Sequence, residues 1–176
     1  MKTIIVYSSQ TGFTKQYAEW LSEALDAELL TIKEAKKQDA AFFQAYDTIV
    51  YGGWCMGGNL VDADWFLERA KEWSGKKLAM YGVGATPADA PEITQFLEAA
   101  VPAEQKERIR AFYCPGGLNY DKMNFFCRTM MKMFAKSMNK KQDMTEYEKQ
   151  KAQALLTNFD ISDRNYIDPI VAYVRS

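Results

Sequence analysis

The sequence predicts a doubly wound α/β fold with a five-stranded parallel sheet in the order 2-1-3-4-5 and helices on both faces. Three observations predict it. Short β-branched runs alternate with segments of helical periodicity along most of the 176 residues. The first run contains an uninterrupted stretch of β-branched and apolar residues at 3–7, which is typical of a strand buried on both faces. Polar or glycine-rich segments follow the first, third and fourth runs, where such sheets bind ligands. The length suits one domain, predicted to span 1–176.

The first part of the chain carries two predicted strands around one helix. The β-branched run at 2–8 ends in polar residues, as expected of a buried strand that reaches the edge of the sheet. Residues 14–25 place apolar side chains at helical spacing, which predicts an amphipathic helix. A short apolar run at 27–32 is predicted as the second strand.

The middle of the chain repeats this alternation. The run at 47–53 is β-branched and ends in a glycine pair, which predicts a third strand. Aromatic residues at helical spacing predict a helix at 61–73. A fourth strand is predicted at 77–83, and a helix at 91–100 begins with a proline that a first turn accepts. The fifth strand is predicted at 109–114.

Residues 115–162 depart from the alternation of strands and helices and are predicted as a helical insertion after the fifth strand. One long helical pattern runs over 119–139, and a polar turn is predicted at 140–143. A Thr-Glu-Tyr-Glu capping box then predicts a helix at 145–156. A final helix, predicted at 163–174, would cover the sheet.

The segment between the first strand and the first helix, residues 9–14, is rich in hydroxyl groups. Free backbone N–H groups and the positive end of a helix dipole favour an anion there, and Gly12 lets the backbone come close. The patterns of triphosphatase and dinucleotide loops are absent. Ser and Thr can also simply cap a helix. The position after strand one favours a phosphate site, suited to a single phosphate monoester.

Two glycine-rich segments follow the third and fourth strands. Residues 52–59 hold four glycines beside Trp54, whose flat face can stack on a ring. Residues 82–87 are small and would admit the other side of a ring. Such segments are often turns without a ligand, and Cys55 is more often a buried apolar group than a reactive thiol. The predicted topology brings both segments to the ligand edge.

The S-x-T-G-x-T pattern of residues 9–14 resembles the FMN phosphate loop of the flavodoxin family, and the resemblance covers the whole chain in architecture. It implies a flavodoxin-like fold in which this loop holds the 5′-phosphate, residues 53–58 flank the isoalloxazine, and residues 84–86 contact its pyrimidine edge. Phe13 stands where many flavodoxins carry Asn, which costs at most a side-chain contact because the backbone N–H remains. The cofactor residues so implied are Ser9, Gln10, Thr11, Gly12, Phe13, Thr14, Gly53, Trp54, Cys55, Met56, Gly57, Gly58, Gly84, Ala85 and Thr86.

The insertion resembles that of the menaquinone-dependent protoporphyrinogen oxidase branch of this family, from residues 114–120 into a Met-rich, Lys-rich helix. The helix at 119–139 has an apolar and a basic face. It is either a covering helix with a solvated basic face or a surface for a hydrophobic substrate, a quinone or a membrane. The apolar face comprises Met123, Phe126, Cys127, Met130, Met131, Phe134 and Met138, and the basic face Lys122, Arg128, Lys132, Lys136 and Lys140.

The amino-acid composition excludes several kinds of catalytic and binding site. The chain contains no histidine, which excludes Ser-His-Asp and Cys-His catalysis and most zinc sites, so no metal site is predicted. A net charge of −1 provides no field for nucleic acid. Three cysteines without a C-x-x-C pair, and a start unlike a signal peptide, indicate reduced thiols and a cytoplasmic location. The helix at 119–139 adds a possible peripheral contact with the inner face of the membrane.

These features favour an FMN oxidoreductase that moves electrons or hydride to or from a quinone or another hydrophobic, planar substrate, as a protoporphyrinogen oxidase-like enzyme would. The alternative is an FMN electron carrier that docks on a redox partner protein and has no substrate of its own. Such carriers are typically strongly acidic, whereas this chain is nearly neutral. A phosphorylated receiver module would need an acidic pair after strand one, where this chain has Ser8 and Ser9.

Overall fold

Five parallel strands form the central sheet of the protein, which a computed structural model describes for residues 1–141 and 143–176. In chain order the strands of this sheet are β1 (Thr3–Tyr7), β2 (Glu28–Thr31), β3 (Thr48–Met56), β4 (Asn59–Leu60), β5 (Lys77–Gly84) and β6 (Ile109–Pro115). The order β2-β1-β3-β5-β6 confirms the predicted doubly wound topology. The short β4, which pairs antiparallel with β3, was not predicted and makes the sheet six-stranded.

Helices connect the strands. They are α1 (Phe13–Leu25), α2 (Ile32–Ala35), α3 (Ala40–Gln44), α4 (Ala63–Ala70), α5 (Pro91–Ala99), α6 (Phe125–Met138), α7 (Glu146–Ala154) and α8 (Asp168–Arg175), with 3-10 turns at Ala103–Gln105 and Arg164–Ile167. Sequence reasoning missed α2 and α3, which are too short to show a period. Thr31 ends the second strand and forms a capping box with Glu34, so Ile32, expected in that strand, instead starts α2.

Helices bury both faces of the sheet, as predicted for a doubly wound fold. Ile4 and Val6 of β1 belong to a core cluster with α2, α3 and α4. Ile5, between them, belongs to a second cluster with α1 and α8 on the opposite face. This alternation is the two-residue period of a strand that is covered on both sides. Trp73 lies beyond the end of α4, where the predicted helix was too long, but is buried in the first cluster.

The insertion after β6 begins and ends in a small ribbon. Its strands β7 (Gly117–Leu118) and β8 (Phe159–Asp160) pair antiparallel, and α6 and α7 lie between them. A Cβ added at Gly117 would approach the Phe159 carbonyl oxygen to 2.1 Å, so the ribbon requires glycine there. The residues of α6 and α7 that face inward pack on a third apolar cluster, whose buried members are Leu118, Tyr120, Ala135 and Leu155.

The long helix of the insertion is shorter than predicted. It begins at residue 125 rather than 119, because the side chain of Asn124 accepts a hydrogen bond from the Cys127 N–H and caps it. Before it, Asn119 closes a separate turn. The predicted capping box at Thr145 is present and starts α7. The turn predicted at 140–143 includes residue 142, which lies outside the described residues.

The hydroxyl of Tyr17, on α1, joins both ends of the insertion. It donates to the Pro115 carbonyl at 2.5 Å, and the Asp163 N–H donates to it at 3.1 Å. The side chain is fully buried, so water does not replace either bond. The chain therefore leaves the sheet and returns to it at one point on α1.

We expect Tyr17→Phe to lower the free energy of unfolding by about 1–3 kcal/mol, because it leaves the buried Pro115 carbonyl without its donor and removes the acceptor of the Asp163 N–H. Urea denaturation of the cofactor-free protein measures this. Tyr147→Phe, which removes a hydroxyl from an exposed ring on α7, is the matched control and should change stability by less than about 0.5 kcal/mol. Equal effects of the two substitutions would contradict the assigned role of Tyr17.

Candidate functional site

The three predicted ligand loops lie at one edge of the sheet. They follow β1, β3 and β5, which are neighbours in the sheet and run parallel. Gly52 is in register with Tyr7 at the end of β1, and Val83 is in register with Trp54. The carboxyl ends of the strands therefore bring the loop at 9–14 and the segments 53–58 and 84–86 together at the switch point of the fold.

The helix that follows the first loop starts without a side-chain cap. Gly12 is the N-cap of α1 in a left-handed conformation, with φ of 105°, which favours glycine. Within residues 1–141 and 143–176, no side chain caps the start of α1 by a hydrogen bond. The interpretation that Ser and Thr of this loop simply cap the helix is therefore wrong. The N–H groups of the first turn remain available to an anion, which the helix dipole also favours.

Thr14 places a hydroxyl group in the first turn of α1. The residue is only 1% exposed, and its Oγ1 finds no hydrogen-bond partner in the described part of the chain. An unpartnered buried hydroxyl costs about 1–3 kcal/mol, so it indicates a missing acceptor. Phosphate oxygens are acceptors of the required kind. The residues present thus fit a phosphate monoester such as that of FMN.

The other residues of this loop have distinct roles. Ser9 shapes the loop, because its Oγ accepts the Gly12 N–H at 3.2 Å. The side-chain amide of Gln10 donates to the Cys127 sulfur of α6 at 3.5 Å. Thr11 lines a cleft of about 570 Å³ between the loop and the insertion, a volume within the usual range of ligand sites.

The side chain of Phe13 packs against the start of the insertion. Cβ atoms added at Gly116 and Gly117 would contact its side chain at 3.1 and 3.0 Å. The aromatic ring in place of the Asn common in flavodoxins therefore supports the start of the insertion. Its backbone N–H stays in the first turn of α1, so the predicted cofactor contact of Phe13 remains a prediction for the backbone alone.

The segment at 53–58 is a hairpin rather than a glycine-rich coil. The strand β3 continues to Met56, and Gly57 and Gly58 form the turn into β4 with φ of 58° and 84°. Two consecutive positive φ angles match a tight hairpin turn. Gly53 serves packing, since an added Cβ would lie 2.9 Å from Leu60. Trp54 is half-buried and Met56 exposed, so this hairpin presents apolar side chains beside the loop edge.

Cys55 is a packing group. A Cβ added at Gly82 would lie 2.9 Å from its sulfur, which shows how closely the thiol contacts the neighbouring strand. Burial raises the pKa of Cys55 to about 12, so the thiol stays protonated and poorly nucleophilic at neutral pH. The predicted flavin contact of Cys55 remains a prediction for its backbone.

Residues 84–86 are held by Tyr113 of β6. The Tyr113 hydroxyl donates to the Thr86 carbonyl at 2.8 Å and accepts the Thr86 N–H at 3.1 Å. An added Cβ at Gly84 would lie 2.7 Å from the same hydroxyl, so this position requires glycine. Ala85 packs against the third apolar cluster of the insertion. The N–H of Thr86, expected to bind the pyrimidine edge, is already bonded within the protein.

Sequence reasoning missed Asp62, which lies at the same edge just before α4. Its φ of 59° is left-handed, and its carboxylate accepts hydrogen bonds from Ser8 Oγ and Lys36 Nζ, both at 2.9 Å. Burial raises the pKa of Asp62, but the bonds from Lys36 and Ser8 and the charge of Lys36 outweigh it, so the pKa falls below its usual value. This ionised group fixes Ser8, the residue that precedes the loop at 9–14. No spacing in the sequence indicates it.

The apolar face predicted for the long helix divides into a buried and an exposed part. Cys127 is buried and Met131 and Met138 half-buried, but Phe126, Met130 and Phe134 are exposed. Together with two neighbours they form an exposed apolar surface, 47% to 84% exposed, which comprises Phe125, Phe126, Met130, Met133 and Phe134. Soluble proteins seldom expose so many large apolar side chains together.

Two properties of the described residues bear on membrane contact. None of their helices is long and apolar enough to span a bilayer. Residues 119–143 carry six cationic side chains and two carboxylates, although the whole chain has a net charge of −1.

Residues 4–146 match the protein family described as "Flavodoxin domain". No curated protein matches the chain. Similar solved structures include oxidised flavodoxin 2 from Bacillus cereus, 21% identical over 89% of this chain and 98% of that one, with a TM-score of 0.47. Trp repressor binding protein from Bacillus subtilis is 13% identical over 80% and 100%, with a TM-score of 0.47. A WrbA-like flavodoxin from Agrobacterium tumefaciens is 15% identical over 99% and 97%, with a TM-score of 0.44. At these values the family assignment rests on the family match.

We expect Thr14→Val to weaken FMN binding by about tenfold to a hundredfold, the value of one hydrogen bond to a charged group. The same substitution should leave the melting temperature of the cofactor-free protein unchanged or raise it, because it removes an unpartnered buried hydroxyl. Flavin titration by tryptophan fluorescence and thermal denaturation measure the two effects.

Thr48→Val is the matched control for this experiment. The Thr48 hydroxyl is also buried without a partner among the described residues, but it lies at the opposite end of β3. Its removal should not change flavin affinity. A Thr14→Val protein that melts at a lower temperature and binds FMN normally would show a purely structural hydroxyl.

Proposed function

This chain belongs to the flavodoxin domain family, and from that premise we propose that it binds FMN and acts as an FMN-dependent oxidoreductase. The observation that supports the proposal most strongly is the uncapped start of α1. There the buried Thr14 hydroxyl and the first-turn N–H groups have no acceptor within the described residues. Their position after β1, at the switch point of the sheet, is where such folds bind ligands.

Three segments of the chain would contact different parts of FMN. The loop at 9–14 would hold the phosphate, Trp54 and the backbone of 55–58 would contact one side of the ring, and residues 84–86 the other. The chemistry that a bound FMN supplies is the transfer of electrons or a hydride. Without histidine, and with Cys55 protonated, the protein's part is to orient the ring and control access to it.

The exposed surface of α6 supports a hydrophobic, planar substrate such as a quinone. Phe126 directly precedes Cys127, which contacts Gln10 of the phosphate loop. Ala85, in the segment after β5, packs on the same insertion. The helix that carries the exposed apolar surface therefore contacts the loop at 9–14 through Cys127, and the insertion contacts the segment after β5 through Ala85. The resemblance of the insertion to the protoporphyrinogen oxidase branch favours protoporphyrinogen oxidase-like chemistry at this place.

We further propose that α6 contacts an anionic membrane surface, where a quinone would be dissolved. On the helical wheel, Arg128, Lys132 and Lys136 lie beside one another, and Phe125 of the exposed apolar surface lies between the two lysines. Cations beside exposed Phe and Met side chains are typical of helices that lie in the membrane interface. A bilayer satisfies both kinds of side chain at once, whereas water satisfies only the cations.

We expect FMN to bind at least about a hundredfold more tightly than riboflavin, because the loop supplies two or more hydrogen bonds to a charged phosphate. FAD, whose phosphate is not terminal, should bind more weakly than FMN. Reconstitution with each flavin, followed by fluorescence titration, measures this. Equal affinity for riboflavin and FMN would refute the phosphate site.

We expect the double substitution Met130→Ser and Phe134→Ser to slow quinone reduction and weaken binding to vesicles of anionic lipid. Both side chains are about half exposed, so flavin content should persist and the melting temperature should change little. Met131→Ser, one residue along the same helix but packed on the third cluster, is the control and should lower the melting temperature.

Charge-reversal substitutions test the membrane contact separately. Lys132→Glu with Lys136→Glu should weaken vesicle binding by about 1 kcal/mol or more per residue. Normal turnover per bound flavin in the Met130/Phe134 protein, together with a large loss of stability, would instead favour the electron carrier.

A further inference from the structure

The insertion brings a cation to the phosphate loop, although the loop itself contains none. A methyl group added at Gly12 would lie 4.0 Å from the Lys122 ammonium nitrogen. Lys122 and Gly12 also line the same cleft of about 570 Å³. A turn fixes the backbone of Lys122, since its N–H donates to both the backbone and side-chain oxygens of Asn119 at 3.2 Å.

This position is electrostatically unfavourable for an ammonium group. Gly12 is the N-cap of α1, so the helix dipole already places positive charge there. No carboxylate forms an ion pair with Lys122 in the part of the chain that the structure describes. Asp160 also lines the cleft, where its carboxylate accepts from Ser162, and the neighbouring Asp121 accepts from Asn158.

A bound anion would make this position of the Lys122 ammonium electrostatically favourable. An anion between the start of α1 and the ammonium would be attracted by both and would also satisfy the Thr14 hydroxyl. A phosphate monoester carries up to two negative charges near neutral pH, which suits a dipole end and a cation together.

We propose that Lys122 is a phosphate-binding residue of the cofactor site, contributed by the insertion; this rests on the proposed FMN function. The loop at 9–14 supplies the hydrogen bonds, and Lys122 supplies the charge. Cofactor affinity is thereby coupled to the folding of the insertion, through a residue more than a hundred positions away in the sequence.

Titration of the full-length protein with FMN and with riboflavin tests the assignment. Lys122→Gln should weaken FMN binding about fivefold, near the upper value for one exposed charge pair, and leave riboflavin binding unchanged. Lys122→Arg should retain the wild-type preference, and Lys122→Glu should weaken FMN binding further. High salt should reduce these differences. Lys106→Gln, the same charge change at an exposed position between the 3-10 turn at Ala103–Gln105 and β6, is the control and should have no effect.

The outcomes separate this inference from the proposed function. If the wild type prefers FMN to riboflavin but Lys122→Gln keeps the full preference, the assignment of Lys122 is wrong and the phosphate site stands. If Lys122→Gln weakens both flavins equally or lowers the melting temperature of the cofactor-free protein, Lys122 is structural. If the wild type shows no preference, the phosphate site and Lys122 are both refuted.

Discussion

The hydroxyl of Tyr17 connects the sheet, the phosphate loop and the insertion. Its ring is fully buried in the core cluster between α1 and the sheet, while its oxygen bonds the residues where the insertion begins and ends. Tyr17 is on α1, and the phosphate loop leads directly into this helix. The position of α1 therefore determines where both the loop and the insertion lie. A buried hydroxyl with both a donor and an acceptor in place allows little movement.

Parallel strands impose the second constraint, because they present all their carboxyl ends at one edge. That edge holds the start of α1, the hairpin after β3 and the segment bound by Tyr113, and the insertion contacts two of these three. The first-turn N–H groups and the Lys122 ammonium then meet there. Among the described residues no carboxylate forms an ion pair with Lys122, although Asp160 lines the same cleft, and the positive groups at the start of α1 together with the ammonium favour an anion.

The insertion helix α6 has a buried surface, a basic surface and an exposed apolar surface. A helix that only covers a core needs just a buried surface and a polar one. One surface packs on the third apolar cluster, and the basic surface faces water. The exposed Phe and Met side chains of the third surface have no packing role to explain them. Their free-energy cost in water is an argument for contact with a substrate or a bilayer.

Local pattern determined the alternation of strands and helices, the α1 helix and the capping box at Thr145, because each depends on periodicity or on adjacent residues. The strand order followed from the doubly wound fold class that this alternation predicts. Local pattern also identified the amphipathic character of residues 119–139, but not which of its apolar residues are buried. Tertiary structure decided that Phe126 and Phe134 are exposed, that Gly57 and Gly58 form a hairpin turn, and that Cys55 packs against Gly82. It also brought Asp62 to Ser8 and Lys122 to Gly12. These contacts join residues far apart in the chain, and their partners are chosen by packing and electrostatics in three dimensions, which no sequence spacing records.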